Sequence, residues 1–202
     1  MQIKSVKREF AFALPTVFIS TRDAGGIRNI APYGNLMPLL RSTDLVCVAS
    51  WHKRDTLANI RETREFVINV PPLSMQDFVI PTARFYPPEV DEFEIAGLVA
   101  RPSQSIRPPG IEGCLAWLEC ELVKQYIEKE YVLIVGRVKH FEIADQYLDD
   151  AGGLDPEKAQ PLIMLLNGLG MRFTTVKEGG SFVPYGAMFP DGKDPLAGLF
   201  EE

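Results

Sequence analysis

The strongest constraint on this chain is the stretch from Arg28 to Arg61, RNIAPYGNLMPLLRSTDLVCVASWHKRDTLANIR. An Asn-rich turn broken by Pro32 comes first (Asn29 to Asn35), followed by a short apolar run (Leu45 to Ala49). A polar loop, Ser50-Trp51-His52-Lys53-Arg54-Asp55-Thr56, then opens a helix. Hydroxyls and cations gathered where a helix begins make an anion site. The free N–H groups of the first turn point outward there, and the helix dipole adds partial positive charge. Trp51 and Tyr33 place flat apolar surface beside the same polar groups, which suits a flat aromatic ligand carrying a phosphate. A capped surface helix with a solvated basic turn carries the same residues, so spacing alone leaves both readings open.

The rest of the chain narrows the classes. Its 202 residues suffice for one sizeable domain, and the composition is that of an ordinary soluble globular protein. A net charge of -6 argues against general nucleic-acid binding. Cys47, Cys114 and Cys120 form no CxxC and no metal-ligand spacing. Cys47 and Cys120 lie inside apolar runs, as buried thiols in a reducing cytoplasm do. With only His52 and His140, and no His/Asp/Glu cluster at ligand spacing, no metal site is expected. The first fifteen residues read as neither a signal peptide nor a span, and no long apolar run follows, so no membrane segment is expected. There is no G-x-S-x-G elbow, and Asn167-Gly168-Leu169-Gly170 lacks the third glycine and the setting of a Rossmann loop.

Periodicity and breakers predict many short strands and a few short helices without βαβ alternation, hence a mainly β barrel with helical decoration. Strands are expected over Glu9 to Ser20 (interrupted by Pro15), Arg28 to Pro32, Leu45 to Ser50, Phe66 to Val70, Cys114 to Tyr126, Tyr131 to Ile143 and Met171 to Val176. Asp23-Ala24-Gly25-Gly26 and Glu128-Lys129-Glu130 read as hairpin turns. Helices are expected over Thr56 to Thr63 (capped by Asp55 or Thr56), Ser74 to Phe85, Val90 to Ile95 and Pro156 to Leu166. Residues 98–113 read as looping chain. Along the first long strand Leu118, Cys120 and Leu122 alternate with Glu119, Glu121 and Val123, a one-face-buried pattern. The run Asp91-Glu92-Phe93-Glu94 reads as a solvated helix face.

Short motifs recur in a telling order: Pro15-Thr16-Val17, Thr21-Arg22-Asp23, Asn29-Ile30-Ala31-Pro32, Asp55-Thr56, Asn59-Ile60, Thr63 through Asn69, and Asp91-Glu92-Phe93 with Ala96-Gly97-Leu98. Together they resemble the flavin reductase-like group of FMN-binding split-barrel proteins, to which the flavoredoxins belong, over residues 10–145. The resemblance implies a Greek-key type split β-barrel as one domain over 1–202, with its core at 9–176 and a C-terminal extension at 177–202. It implies bound FMN, NADH or NADPH as electron donor, and a homodimer whose partner chain helps to form the flavin site. The acceptor would be free flavin, a partner monooxygenase or another protein.

By position, the resemblance brings Asn29, Ile30, Ala31, Pro32, Tyr33 and Gly34 to the pyrimidine edge of the ring. It brings Ser50, Trp51, Lys53, Arg54 and Thr56 to ribityl and phosphate, with Asn59 nearby. Phe85 and Tyr86 lie against the flavin or simply pack, and His140 is either near the nicotinamide or an ordinary strand histidine. Arg172 and Phe173 stand where relatives often carry a tyrosine close to the ring. No catalytic acid, base or nucleophile is required, because the flavin carries the redox chemistry. Two rivals remain: an FMN-binding electron carrier with little NAD(P)H activity, and a split-barrel scaffold or ligand sensor with no flavin.

Overall fold

The computed structural model describes residues 5–40, 43–150, 152–179, 189 and 191–193, so most of the C-terminal extension expected at 177–202 lies outside the described residues. The strands are β1 (Leu14–Pro15), β2 (Val17–Arg22), β3 (Arg28–Tyr33), β4 (Leu36–Pro38), β5 (Leu45–Trp51), β6 (Glu65–Val70), β7 (Ala100–Arg101), β8 (Gly110–Ile111), β9 (Ala116–Ile127), β10 (Tyr131–Ile143), β11 (Ile163–Asn167) and β12 (Gly170–Thr174). The helices are α1 (Asp55–Thr63), α2 (Val79–Ala83), α3 (Glu92–Ala96) and α4 (Pro156–Ala159). Among the described residues no helix is long and apolar enough to cross a membrane.

Seven antiparallel strands form the main sheet, in the order β3-β2-β6-β9-β10-β5-β4. Its two edges, β3 and β4, are consecutive in the chain and joined only by Gly34 and Asn35, so the sheet must curl until they meet. They do not pair as strands. Two side-chain bonds reach from this side to β5 instead: the Tyr33 hydroxyl lies 3.3 Å from Ser50 Oγ, and Asn35 Nδ2 donates to the Ala49 carbonyl at 2.9 Å. The result is a mainly β, split barrel, as expected.

The pleat supplies two cores. Along β2, Val17 and Ile19 join Phe66 and Ile68 of β6 and Leu57 and Ile60 of α1 on one side of the sheet. Phe18 on β2 and Val67 on β6 point the other way, toward Phe93, Trp117 and Leu162. Sheet curvature depends on Gly136, which sits at an irregularity in the β9–β10 register. A Cβ there would lie 2.4 Å from Phe66 Cζ, so only glycine lets the strand pass over that ring.

Several expectations change. The N-terminal part of Glu9 to Ser20 is a 3₁₀ turn ending at Ala11, and strand geometry begins at Leu14. The single helix expected over Ser74 to Phe85 splits into a 3₁₀ segment (Leu73–Phe78) and α2, because Pro81 has no N–H to continue an α-helical ladder. The helix expected from Pro156 to Leu166 stops after Ala159, where Gln160 turns left-handed (φ 46) and Pro161 follows; the remainder becomes β11. Residues 98–113, expected to loop, contain the short β7–β8 pair. Glu119 is buried rather than outward, because the Gln104 and Ser105 N–H groups and the Ser105 hydroxyl all donate to its carboxylate.

Candidate functional site

A cavity of about 930 Å³ opens where the barrel is split, within the size range of small-molecule sites. β3 and the residue after it contribute Asn29, Ala31, Pro32, Tyr33 and Gly34, and the end of β5 contributes Ala49, Ser50 and Trp51. Lys53, Arg54, Asp55 and Thr56 enter from the start of α1, Thr82 to Tyr86 from the end of α2, and Glu92 from α3.

The start of α1 departs from the expected cap. Arg54, not Asp55 or Thr56, is the cap residue; its backbone is extended and it makes no side-chain cap hydrogen bond. The first intrahelical bond runs from Ala58 N–H to the Arg54 carbonyl, so the N–H groups of Asp55, Thr56 and Leu57 precede the helical ladder. Asp55 and Thr56 line the cavity there, at the positive end of the helix dipole. The Arg54 guanidinium stacks 4.2 Å from the Phe85 ring centroid and 5.1 Å from that of Trp51, tying the start of α1 to the segment after α2. Lys53 is exposed beside it.

The opposite wall holds a buried acid. Asp91 caps α3 by accepting from Phe93 and Glu94 N–H, and an ion pair with Arg28 at 2.6 Å fixes it to β3. With the cap held and Phe93 fully buried, Glu92 is turned inward and accepts from Ile30 N–H at 2.6 Å. The Asn29 amide is satisfied at both ends when its nitrogen faces Glu92 (3.2 Å) and its oxygen accepts from the Thr56 hydroxyl (3.1 Å). A continuous path therefore runs from the Glu92 carboxyl through Asn29 to the first turn of α1. Burial pushes the Glu92 pKa up to about 7, helped by the charges of Asp55 and Asp91 and opposed by the Ile30 hydrogen bond and by Arg54. Of the acidic run expected to be a solvated face, Asp91 is the cap and Glu92 part of the cavity wall, while Glu94 stays exposed. Phe93 inside the run was the signal that this short helix turns a face inward.

Of the residues singled out from the sequence, Asn29, Ala31, Pro32, Tyr33, Gly34, Ser50, Trp51, Lys53, Arg54, Thr56 and Phe85 all line the cavity. Ile30 and Asn59 do not line it: Ile30 is fully buried in the outer core, and Asn59 donates to the Thr21 hydroxyl at 3.1 Å behind the wall. His140 lies on β10 opposite Glu119, with its Nε2 3.6 Å from Glu142, and is not part of the cavity. Phe173 packs on the outer core, and neither it nor Arg172 lines the cavity. Sequence reasoning missed Glu92, Asn35, His52, Thr82, Arg84 and Tyr131. Tyr131 arrives only through pairing, because strand register sets it beside Trp51.

A curled, seven-stranded split barrel with a ligand-sized cavity at its seam is the fold of the flavin reductases. The model of the flavin reductase like domain matches residues 9–165, and the chain belongs to that family. An uncharacterized protein of Methanothermobacter thermautotrophicus is 52% identical over 207 residues, covering 100% of this chain and 98% of the relative. Among solved structures, the flavoredoxin of Desulfovibrio vulgaris (Miyazaki F) superposes with a TM-score of 0.80 at 20% identity, over 96% of this chain and 100% of that one. An FMN-binding protein from Thermus thermophilus with bound 1-cyclohex-2-enone gives 0.74 at 20% identity, over 90% and 97%. The family supports a flavin as the ligand. The cavity fits one: Tyr33, Trp51 and Phe85 offer flat surfaces, and the uncapped helix start with Lys53, Arg54 and the hydroxyls of Ser50 and Thr56 offers a phosphate position.

Proposed function

We propose that this protein is an FMN-containing oxidoreductase that takes hydride from NADH or NADPH and passes electrons to an acceptor. The observation that carries this reading is the uncapped start of α1, which meets two adjacent cations at one end of an aromatic-walled cavity. FMN, when bound, supplies hydride acceptance and electron release. The protein's part is to hold, orient and shield. Lys53, Arg54 and the first-turn N–H groups hold the phosphate. Asn29, Ala31, Pro32, Tyr33 and Gly34 set the edge of the ring, and Phe85 with Trp51 restrict water.

We extend the reading to assembly and acceptor. Trp51 and Phe85 line the cavity yet are 65% and 75% exposed, which fits a site finished by a second copy in a two-fold dimer. Three buried thiols without a disulfide fit a reducing cytoplasm. Free flavin, a partner monooxygenase or another redox protein would receive the electrons.

Titration with FMN, FAD and riboflavin, followed by anaerobic mixing with NADH and NADPH, tests the proposal. Stoichiometric FMN binding with bleaching of the flavin by either nicotinamide is expected. A yellow protein that neither nicotinamide bleaches would be an electron carrier, and one that takes up no flavin would overturn the reading entirely.

A further inference from the structure

We propose that Glu92, held in the cavity wall by Ile30 and Asn29, takes up a proton when the bound flavin is reduced. The inference rests on the FMN reading above, but on different atoms.

Glu92 is 6% exposed, lines the cavity, and receives Ile30 N–H at 2.6 Å on the same oxygen that faces the Asn29 amide. Asn29 in turn holds the Thr56 hydroxyl at the start of α1. The charged groups that face Glu92 are Arg54 and Asp55 from α1 and Asp91 from its own turn, and Asp91 is already held by Arg28 of β3. Arg54 is likewise engaged, stacked on Phe85 and Trp51. Among the described residues no cation forms an ion pair with Glu92. A buried carboxyl in that position responds to any new charge in the cavity by changing its proton occupancy. Its ordinary value is already raised into the neutral range by burial.

The coupling follows. A flavin held here would, on gaining two electrons and one proton, bring one unit of negative charge into the cavity. That charge raises the affinity of Glu92 for a proton, which it takes from solvent onto a carboxylate oxygen. No other bond forms or breaks at Glu92, and charge in the cavity is conserved. Neutral Glu92 keeps the oxygen that accepts from Ile30 and Asn29, so the path to Thr56 survives both states.

The experiment is a redox titration of the FMN-loaded protein and its Glu92→Gln variant across pH, with dithionite as reductant. Glutamine presents the same accepting oxygen but stays neutral. Above pH 7, where Glu92 of the oxidised protein is mostly ionised, the wild-type reduction equilibrium is expected to shift by up to about tenfold more per pH unit than the variant's, approaching one extra proton per electron pair, and the two slopes are expected to converge in acid. In wild type labelled with ¹³C at the glutamate carboxyl, infrared difference spectra are expected to show a protonated carboxyl band growing on reduction. This second arm holds even if the variant fails to fold. Parallel pH slopes, or no such band, with FMN bound would overturn the role of Glu92 alone. Failure to bind FMN would overturn the reading of the site and this coupling with it.

Discussion

The Arg54 guanidinium lies 4.2 Å from the centroid of the Phe85 ring, so the residue that begins α1 and the segment that follows α2 meet at the cavity. A cation held over an aromatic face keeps its charge available at its edge, where a guanidinium offers donors in a fork that matches phosphate oxygens. Arg54 can thus serve phosphate and ring wall together.

The first prediction concerns that double role. A charge-assisted contact is worth roughly 1.5–3 kcal/mol, so Arg54→Ala is expected to weaken FMN binding about ten- to a hundredfold. Riboflavin lacks the phosphate, and its affinity should change far less. Lys53→Ala is expected to show a smaller FMN-selective loss, with Thr56→Ala between the two. Fluorescence quenching titrations with both ligands measure this, and equal losses for FMN and riboflavin would refute the phosphate assignment.

Glu92 makes a prediction about stability without any ligand. Its folded pKa is raised by burial from 4.5 to about 7, so between those values the native state binds more protons than the unfolded chain. Stability from this group is full below the unfolded pKa and falls as pH rises toward the folded one. Glu92→Gln removes that slope, and is expected to be more stable than wild type above pH 7 and no better below pH 4.5. Urea midpoints at the two ends decide it.

Glu119 runs the opposite way. Burial alone would raise its pKa, but hydrogen bonds from the Ser105 hydroxyl and the Gln104 and Ser105 N–H groups outweigh this and hold it below the usual carboxylate value. Its contribution is present above the unfolded pKa and is lost as pH falls through the lowered folded one. Glu119→Leu strands two backbone donors, at a cost of about 1–3 kcal/mol each. Thermal unfolding at neutral pH should show a clear loss, with the gap to wild type narrowing in acid.

Gly136→Ala tests the curvature of the barrel. The added methyl would meet Phe66 Cζ at 2.4 Å and Cε1 at 2.9 Å, and Phe66 is fully buried. Overpacking of this kind costs about 1–3 kcal/mol or more. Phe66→Leu in the same chain is expected to recover part of the loss, which denaturant melts of the single and double variants would reveal.

The parts legible in the sequence were those in which a local rule and the tertiary fold agree. The central strand at Leu45 and the hairpins at Asp23 and Glu128 come from patterning and turn chemistry that packing does not override. Glycine at position 97 ends α3 in the left-handed conformation, as a C-terminal stop should. The cavity residues from Asn29 to Gly34 and from Ser50 to Thr56 were reached through helix-start chemistry and motif order. What stayed hidden depends on partners distant in the chain. Glu119 looks like an outward strand residue until the Gln104–Ser105 turn folds over it. Glu92 looks solvated until Arg28 and Phe93 roll α3 onto β3. The Pro156 segment shows the reverse error: a good helix start carried the reading past Pro161, where the backbone could no longer follow.

The open edge of β3 has one more implication, because its two-residue hydrogen-bond rhythm decides what can dock there. Ile30 N–H is turned away from β2 and taken by Glu92, so Pro32, two residues on, is aimed the same way and has no N–H to give. The positions facing away from β2 therefore offer a neighbouring strand neither the Ile30 N–H, which Glu92 already takes, nor any N–H at Pro32. A neighbouring strand, which must both give and receive, finds half of its vocabulary missing. The proline thus blunts this edge of the barrel against unwanted strand pairing.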